Sequence, residues 1–157
     1  MKIIPEASLE TIKTELRRML NDGIRCSEVR DAAISARQEG DEIASIFNWA
    51  KSNFEYVADP HGRELLTSPR KLLEQYQATS KMHEDCESAA LLISSLLGSI
   101  GHETKISILD CNLDGEYDHA IAQVFSPEIN DWIFLDLTSE RPIGWRTEYS
   151  KIVDITL

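Results

Sequence analysis

The apolar pattern of this 157-residue chain changes period once, near Gly101. Before that point apolar residues recur every three or four positions; after it they alternate. Residues 8–20 read as a first helix, with Ser8 as N-cap and Leu9, Ile12, Leu16, Met19 and Leu20 as its buried face. Asn21-Asp22-Gly23 reads as its stop. Residues 27–37 and 41–54 read as further helices, the latter with Ile43, Ile46, Phe47 and Ala50 at helical spacing. Trp49, Phe54 and Tyr56 read as core beneath it. Asp59-Pro60 and Ser68-Pro69 signal turns, and 70–76 a short helix. The strongest helical stripe follows Cys86, through Ala89, Ala90, Ile93, Leu97 and Ile100, and stops near Gly98 or Gly101. Residues 105–109, 120–125, 131–135 and 152–155 then read as strands. Helices followed by an antiparallel meander specify an α+β fold. The length fits one domain over 1–157, with a core from about 41 and N-terminal helices over 1–40.

A net charge of −11 leaves no basic stripe for phosphates, so a nucleic-acid partner is not expected. No apolar run reaches the length of a membrane span, and the charged N-terminal residues do not form a secretory signal. Cys26, Cys86 and Cys111 are odd in number and have no CxxC spacing. A reducing, cytoplasmic setting without a disulfide framework follows. His61, His83, His102 and His119 form no closed zinc spacing with Cys86, so neither a metal nor another cofactor is expected.

Chemistry concentrates at Asp85-Cys86. A cysteine in the first turn of a helix meets unpaired backbone N–H groups and the positive end of the macrodipole. Both favour thiolate, the nucleophilic form. His119 and Asp136 lie downstream on adjacent strands as candidate base and orienting carboxylate. A four-residue loop over 126–129 would pair Val124 with Asp131, Gln123 with Trp132, Ile121 with Phe134 and His119 with Asp136. That register predicts Cβ atoms roughly 4.5–5.5 Å apart on one sheet face, and a helix packed across that face would bring Cys86 to them. Each residue also has a purely structural reading. Cys86 is then a buried core thiol, His119 a surface partner of Asp118, and Asp136 a turn residue near Thr138.

The segments EDCESAALLISSLLGSIGHETK, DHAIAQV and WIFLDLTS together resemble the transglutaminase-like superfamily, whose fold is related to papain-type cysteine peptidases. Upstream, IFNWAKSNFEYVADPHGRELLTSPRKLLE is similar to small bacterial and bacteriophage members, as is the tail PIGWRTEYSKIVDI. The resemblance covers about 43–155. It implies Cys86 as nucleophile, His119 as general base and acid, Asp136 as orienting residue, and a protein or peptide substrate. The Cys86 backbone N–H is the implied oxyanion donor, with Gln75, Tyr76 or Gln77 as candidates for a second, and Tyr56 and Asp59 near the cleft. Glu84 replaces the glycine usual before Asp-Cys, and its carboxylate is expected to raise the thiol pKa. Hydrolysis and transamidation both remain open. So does a catalytically idle assembly module on the same fold, such as a bacteriophage morphogenesis factor.

Overall fold

The computed structural model describes residues 6–38, 40–58 and 66–157, with side chains from Leu9 onward. Asp59, Pro60 and His61 lie outside the described residues. Among the described residues, five helices, α1 (Glu6–Ile24), α2 (Ser27–Ala36), α3 (Glu42–Asn53), α4 (Pro69–Thr79) and α5 (Cys86–Ser99), interleave with two short strands, β1 (Phe54–Tyr56) and β2 (Met82–Glu84). Strands β3 (Thr104–Leu109), β4 (His119–Ser126), β5 (Asp131–Leu135) and β6 (Ile152–Ile155) follow. The fold is α+β, as the change of period predicts.

Helix α1 includes Asn21-Asp22-Gly23 and ends one residue later, at Ile24, and it begins before Ser8. Gly23 also serves the packing on α5. A Cβ built on Gly23 would sit 2.3 Å from Ser95 Oγ, and one on Gly98 would sit 2.7 Å from Ile24 Cγ1. Each glycine lets the facing helix approach where a side chain would block it. Tertiary packing adds to the local stop signal here. Asp41 caps α3 by accepting from Ala44 N, and Ser68 caps α4 by accepting from Lys71 N, with Pro69 opening the helix. Both caps follow the expected chemistry.

Helix α5 is buried on every side from Cys86 to Leu97. It touches α1, α2, α3 and α4 as well as β3 and β4. A helix with no solvated face must sit inside the molecule, and α5 is the central element of the core. Its apolar residues join Ile106, Ile108, Ala120, Ala122, Val124, Leu135 and Ile155 in one cluster.

The antiparallel sheet has strand order β5-β4-β3-β6. Strands β3 to β5 form the predicted meander, but β6 crosses back to pair with β3. Strands β1 and β2 form a separate parallel pair aligning Tyr56 with Glu84. Three residues each are too few to display alternation, so this pair is not visible in the sequence. The hairpin register also differs from the expectation. The ladder pairs Ser126 with Asp131 and Gln123 with Phe134, so the loop spans 127–130 and ends on Asn130 at φ 51°. Asparagine tolerates this left-handed conformation. Moving the loop by one residue shifts the pairing by two, which preserves the sheet face of every side chain.

Candidate functional site

Because the slip is even, His119 and Asp136 still share a face, now as diagonal rather than direct neighbours. His119 Nε2 lies 2.8 Å from Asp136 Oδ2. The other carboxylate oxygen, Oδ1, accepts from Thr138 N at 2.9 Å and from Thr138 Oγ1 at 2.7 Å. Side-chain exposure is 21% for His119 and 18% for Asp136. Burial pushes against both charges, but the hydrogen bond and mutual attraction prevail. His119 is raised above the ordinary histidine value, helped by the Asp118 and Glu87 charges. Asp136 is lowered despite burial, through His119 and Thr138. An ionised Asp136 accepts only, so Nε2 carries the proton and Nδ1 is the free basic nitrogen.

Cys86 heads α5 as expected, but its surroundings do not favour thiolate. The residue is 1% exposed. Its pKa is raised well above the ordinary thiol value, first by burial and then by the Glu87 and Asp85 charges. The thiol donates to Glu87 Oε2 at 3.2 Å. The expected oxyanion donor, Cys86 N–H, is taken by Asp85 Oδ1. Ala120 N–H also bonds the sulfur and acts in the opposite sense, lowering the pKa. The helix terminus is thus outweighed by desolvation and two adjacent carboxylates.

Cys86 and His119 do not meet across one sheet face. Helix α5 packs on the face carrying Ala120, Ala122 and Val124. His119 pairs with Leu109 and shares the opposite face with Ile121 and Phe134. Helix α5 meets β4 at its start instead, near the point where β5 leaves the ladder at Leu135 opposite Ala122. There Cys86 Sγ reaches Ala120, the residue after His119.

Other expected contributors fall elsewhere. Glu84 is not the carboxylate acting on the thiol; its oxygens accept from Thr67 Oγ1 at 2.7 Å and Asp85 N at 3.3 Å. Gln75 Oε1 accepts from His83 N at 2.7 Å, on β2. Tyr76 and Gln77 face a hollow of about 360 Å³ between α2, α3 and α4, away from Cys86. Tyr56 stands beside Glu84 in the β1–β2 pair and is 40% exposed, so it is not core as expected. Trp49 packs edge-on against Tyr76 with ring centroids 5.3 Å apart, and Phe54 is buried core. Cys26 and Cys111 are free thiols, and Cys111 stands on the His119 side of the sheet, where the Asp118 and Asp136 charges help raise its pKa. Glu87 is the residue that sequence reasoning undervalued, although its place immediately after Cys86 was visible.

Among the described residues, two groups bring potential metal-ligand atoms within 4.8 Å of one another: Asp85, Cys86 and Glu87, and Asp110, Asp114 and Asp118. Neither includes a histidine. In the second, both oxygens of Asp110 and of Asp118 already accept backbone N–H groups. Among the described residues, no helix is long and apolar enough to cross a membrane.

No protein-family model and no curated protein matches the chain. Solved structures do. One from Cytophaga hutchinsonii, described as a "Putative Cysteine Protease", aligns with a TM-score of 0.55 at 18% identity, covering 82% of this chain and 40% of that one. A second, described as a "putative protease" from Parabacteroides distasonis, aligns at 0.56 with 13% identity, covering 83% and 27% respectively. The likeness is one of fold. The core is consistent with a papain-like or transglutaminase-like arrangement, and the chain spans less than half the length of either neighbour.

Proposed function

We propose that this chain is a thiol-dependent acyl-transfer enzyme of transglutaminase-like type that cleaves amide bonds in a protein or peptide. Cys86 acts as nucleophile, His119 as base and acid, and Asp136 as orienting carboxylate. The observation that carries the reading is the His119–Asp136 hydrogen bond of 2.8 Å on the strand whose Ala120 N–H contacts Cys86 Sγ. With Nε2 held by Asp136, Nδ1 is available to take the thiol proton, and a raised imidazole pKa favours that transfer. The sulfur attacks the substrate carbonyl, and the imidazolium then protonates the leaving amine. Water resolves the acyl-enzyme by hydrolysis, whereas a second amine would give transamidation.

The resting arrangement needs two local adjustments before attack. The thiol must turn from Glu87 toward Nδ1, and Asp85 must release Cys86 N–H so that it can bind the oxyanion. The same two contacts favour a second reading, an idle assembly module whose buried thiol never ionises. Its bacteriophage setting would be morphogenesis rather than catalysis.

Labelling with an electrophilic peptide discriminates the two. Selective modification that is lost in Cys86→Ala and falls at least about a thousandfold in His119→Ala is the enzymatic outcome. Slow, indifferent labelling of Cys26, Cys86 and Cys111 that ignores His119→Ala would sink it.

A further inference from the structure

We infer that Asp118 is a positioning residue for His119, clamping the loop that delivers the imidazole to the end of the sheet. The inference rests on the reading of His119 as the base and adds a residue that this role requires. Residues 110–118 connect β3 to β4, and His119 is the first residue of β4. A connection of this length would ordinarily leave its exit residue loosely held. Here two buried carboxylates fix it from within.

Asp118 is 8% exposed. Its Oδ1 accepts from Cys111 N and its Oδ2 from Asn112 N, each at 2.9 Å. Its own N–H donates to Leu109 O at 2.9 Å, and Leu109 is the β3 partner of His119. One side chain therefore ties the start of the loop to its end, immediately before the imidazole. Asp110 holds the other half, accepting from Asp114 N at 3.3 Å and Gly115 N at 2.6 Å, and it also accepts from Ser150 Oγ. Leu113 is carried at the tip with φ 62°, a left-handed conformation costly for leucine. The surrounding hydrogen bonds must overdetermine it.

The clamp also brings a second carboxylate close enough for its charge to act on the imidazole. The charged groups acting on His119 are Asp136 through its hydrogen bond and charge, then Asp118 and Glu87 through charge. Asp136 fixes the ring's tautomer, while Asp118 fixes the backbone from which the ring projects and assists the imidazolium.

Two measurements on the free protein test this without any substrate. The first is the His119 ring titration by NMR, assigned by its loss in His119→Gln. The second is hydrogen exchange at the Cys111 and Asn112 amides. In Asp118→Asn the imidazole should titrate at lower pH, and the two amides should exchange up to about tenfold faster. Asp118→Glu keeps the charge but moves it by a methylene; exchange should still accelerate while the titration stays near wild type. Asp114→Asn removes a carboxylate from the exposed side of the same loop and should change neither. Wild-type exchange and titration in Asp118→Asn would overturn the assignment, as would Asp114→Asn moving the titration equally. If Asp118→Asn does not fold, unchanged exchange in Asp118→Glu overturns it. Because neither measurement uses Cys86 reactivity, they remain decisive even if the peptide label shows that the thiol is idle.

Discussion

His119 opens β4 and Cys86 Sγ meets the next residue, Ala120, yet buried carboxylates treat the two side chains in opposite ways. At His119, Asp136 is bonded by the ring and by Thr138, and Asp118 is bonded by two backbone N–H groups. At Cys86, Asp85 Oδ1 accepts one N–H while its Oδ2 is buried with no hydrogen-bond partner among the described residues. Glu87 faces the thiol itself. A buried carboxylate with enough donors stays charged cheaply and can organise a cation. One beside a thiol opposes its ionisation. The imidazole half is therefore preorganised, whereas the sulfur half has its proton held in place. The proposed acyl transfer requires the first half to overcome the second.

Removing the Asp136 carboxylate is the strongest way to break that contrast. Asp136→Asn forfeits both the tautomer control and the charge, so Cys86 labelling at neutral pH should fall about a hundredfold or more. The stability change has a definite sign. The folded-state pKa of His119 is raised, so the pair stabilises fully below about pH 6.5, the unfolded histidine value. That contribution disappears as pH rises through the folded value. Asp136, lowered in the fold, stabilises above about pH 4 and loses this as pH falls through its folded value. The difference in melting temperature between wild type and Asp136→Asn should therefore be greatest between those limits and shrink on either side. A difference independent of pH would mean that the pair is not ionic.

A smaller effect separates the scaffold from the site. Alanine normally stabilises a helix by up to about 1 kcal/mol over glycine. At Gly23 the added Cβ would stand 2.3 Å from Ser95 Oγ and 2.9 Å from Ser95 Cβ. Gly23→Ala should instead destabilise by about 1–3 kcal/mol, the range for overpacking, measured by denaturant unfolding. A gain in stability would show that α1 and α5 are not interlocked there.

These cases also show what the sequence could reveal. The stripe behind Cys86 made α5 readable because a buried helix repeats its apolar residues. Asp136 and His119 were readable because face assignment survives an even slip. The loop boundary was not, since choosing it required knowing that Asn130 rather than Ser126 belonged to the turn. Gly23 carried a stop signal whose meaning depends on Ser95, 72 positions away. The thiol's chemistry was least legible. A helix N-terminus predicts a lowered pKa, and only burial together with the orientations of Asp85 and Glu87 reverses it.

The mildest change addresses that reversal directly. Glu87→Gln preserves size and a hydrogen-bonding carbonyl but removes the charge beside Cys86 Sγ. Burial is the leading cause of the raised thiol pKa and remains; the Glu87 charge, second in importance, is lost. The thiol pKa should fall without reaching that of an exposed cysteine, and alkylation by iodoacetamide near neutral pH should quicken by several-fold. The same change removes one of the charges supporting the His119 imidazolium, so the ring should titrate slightly lower. A fall of both pKa values together is the signature of a carboxylate whose charge acts on both groups. If the imidazole titration falls while alkylation does not quicken, Glu87 acts on the ring alone, and burial by itself holds the proton on sulfur.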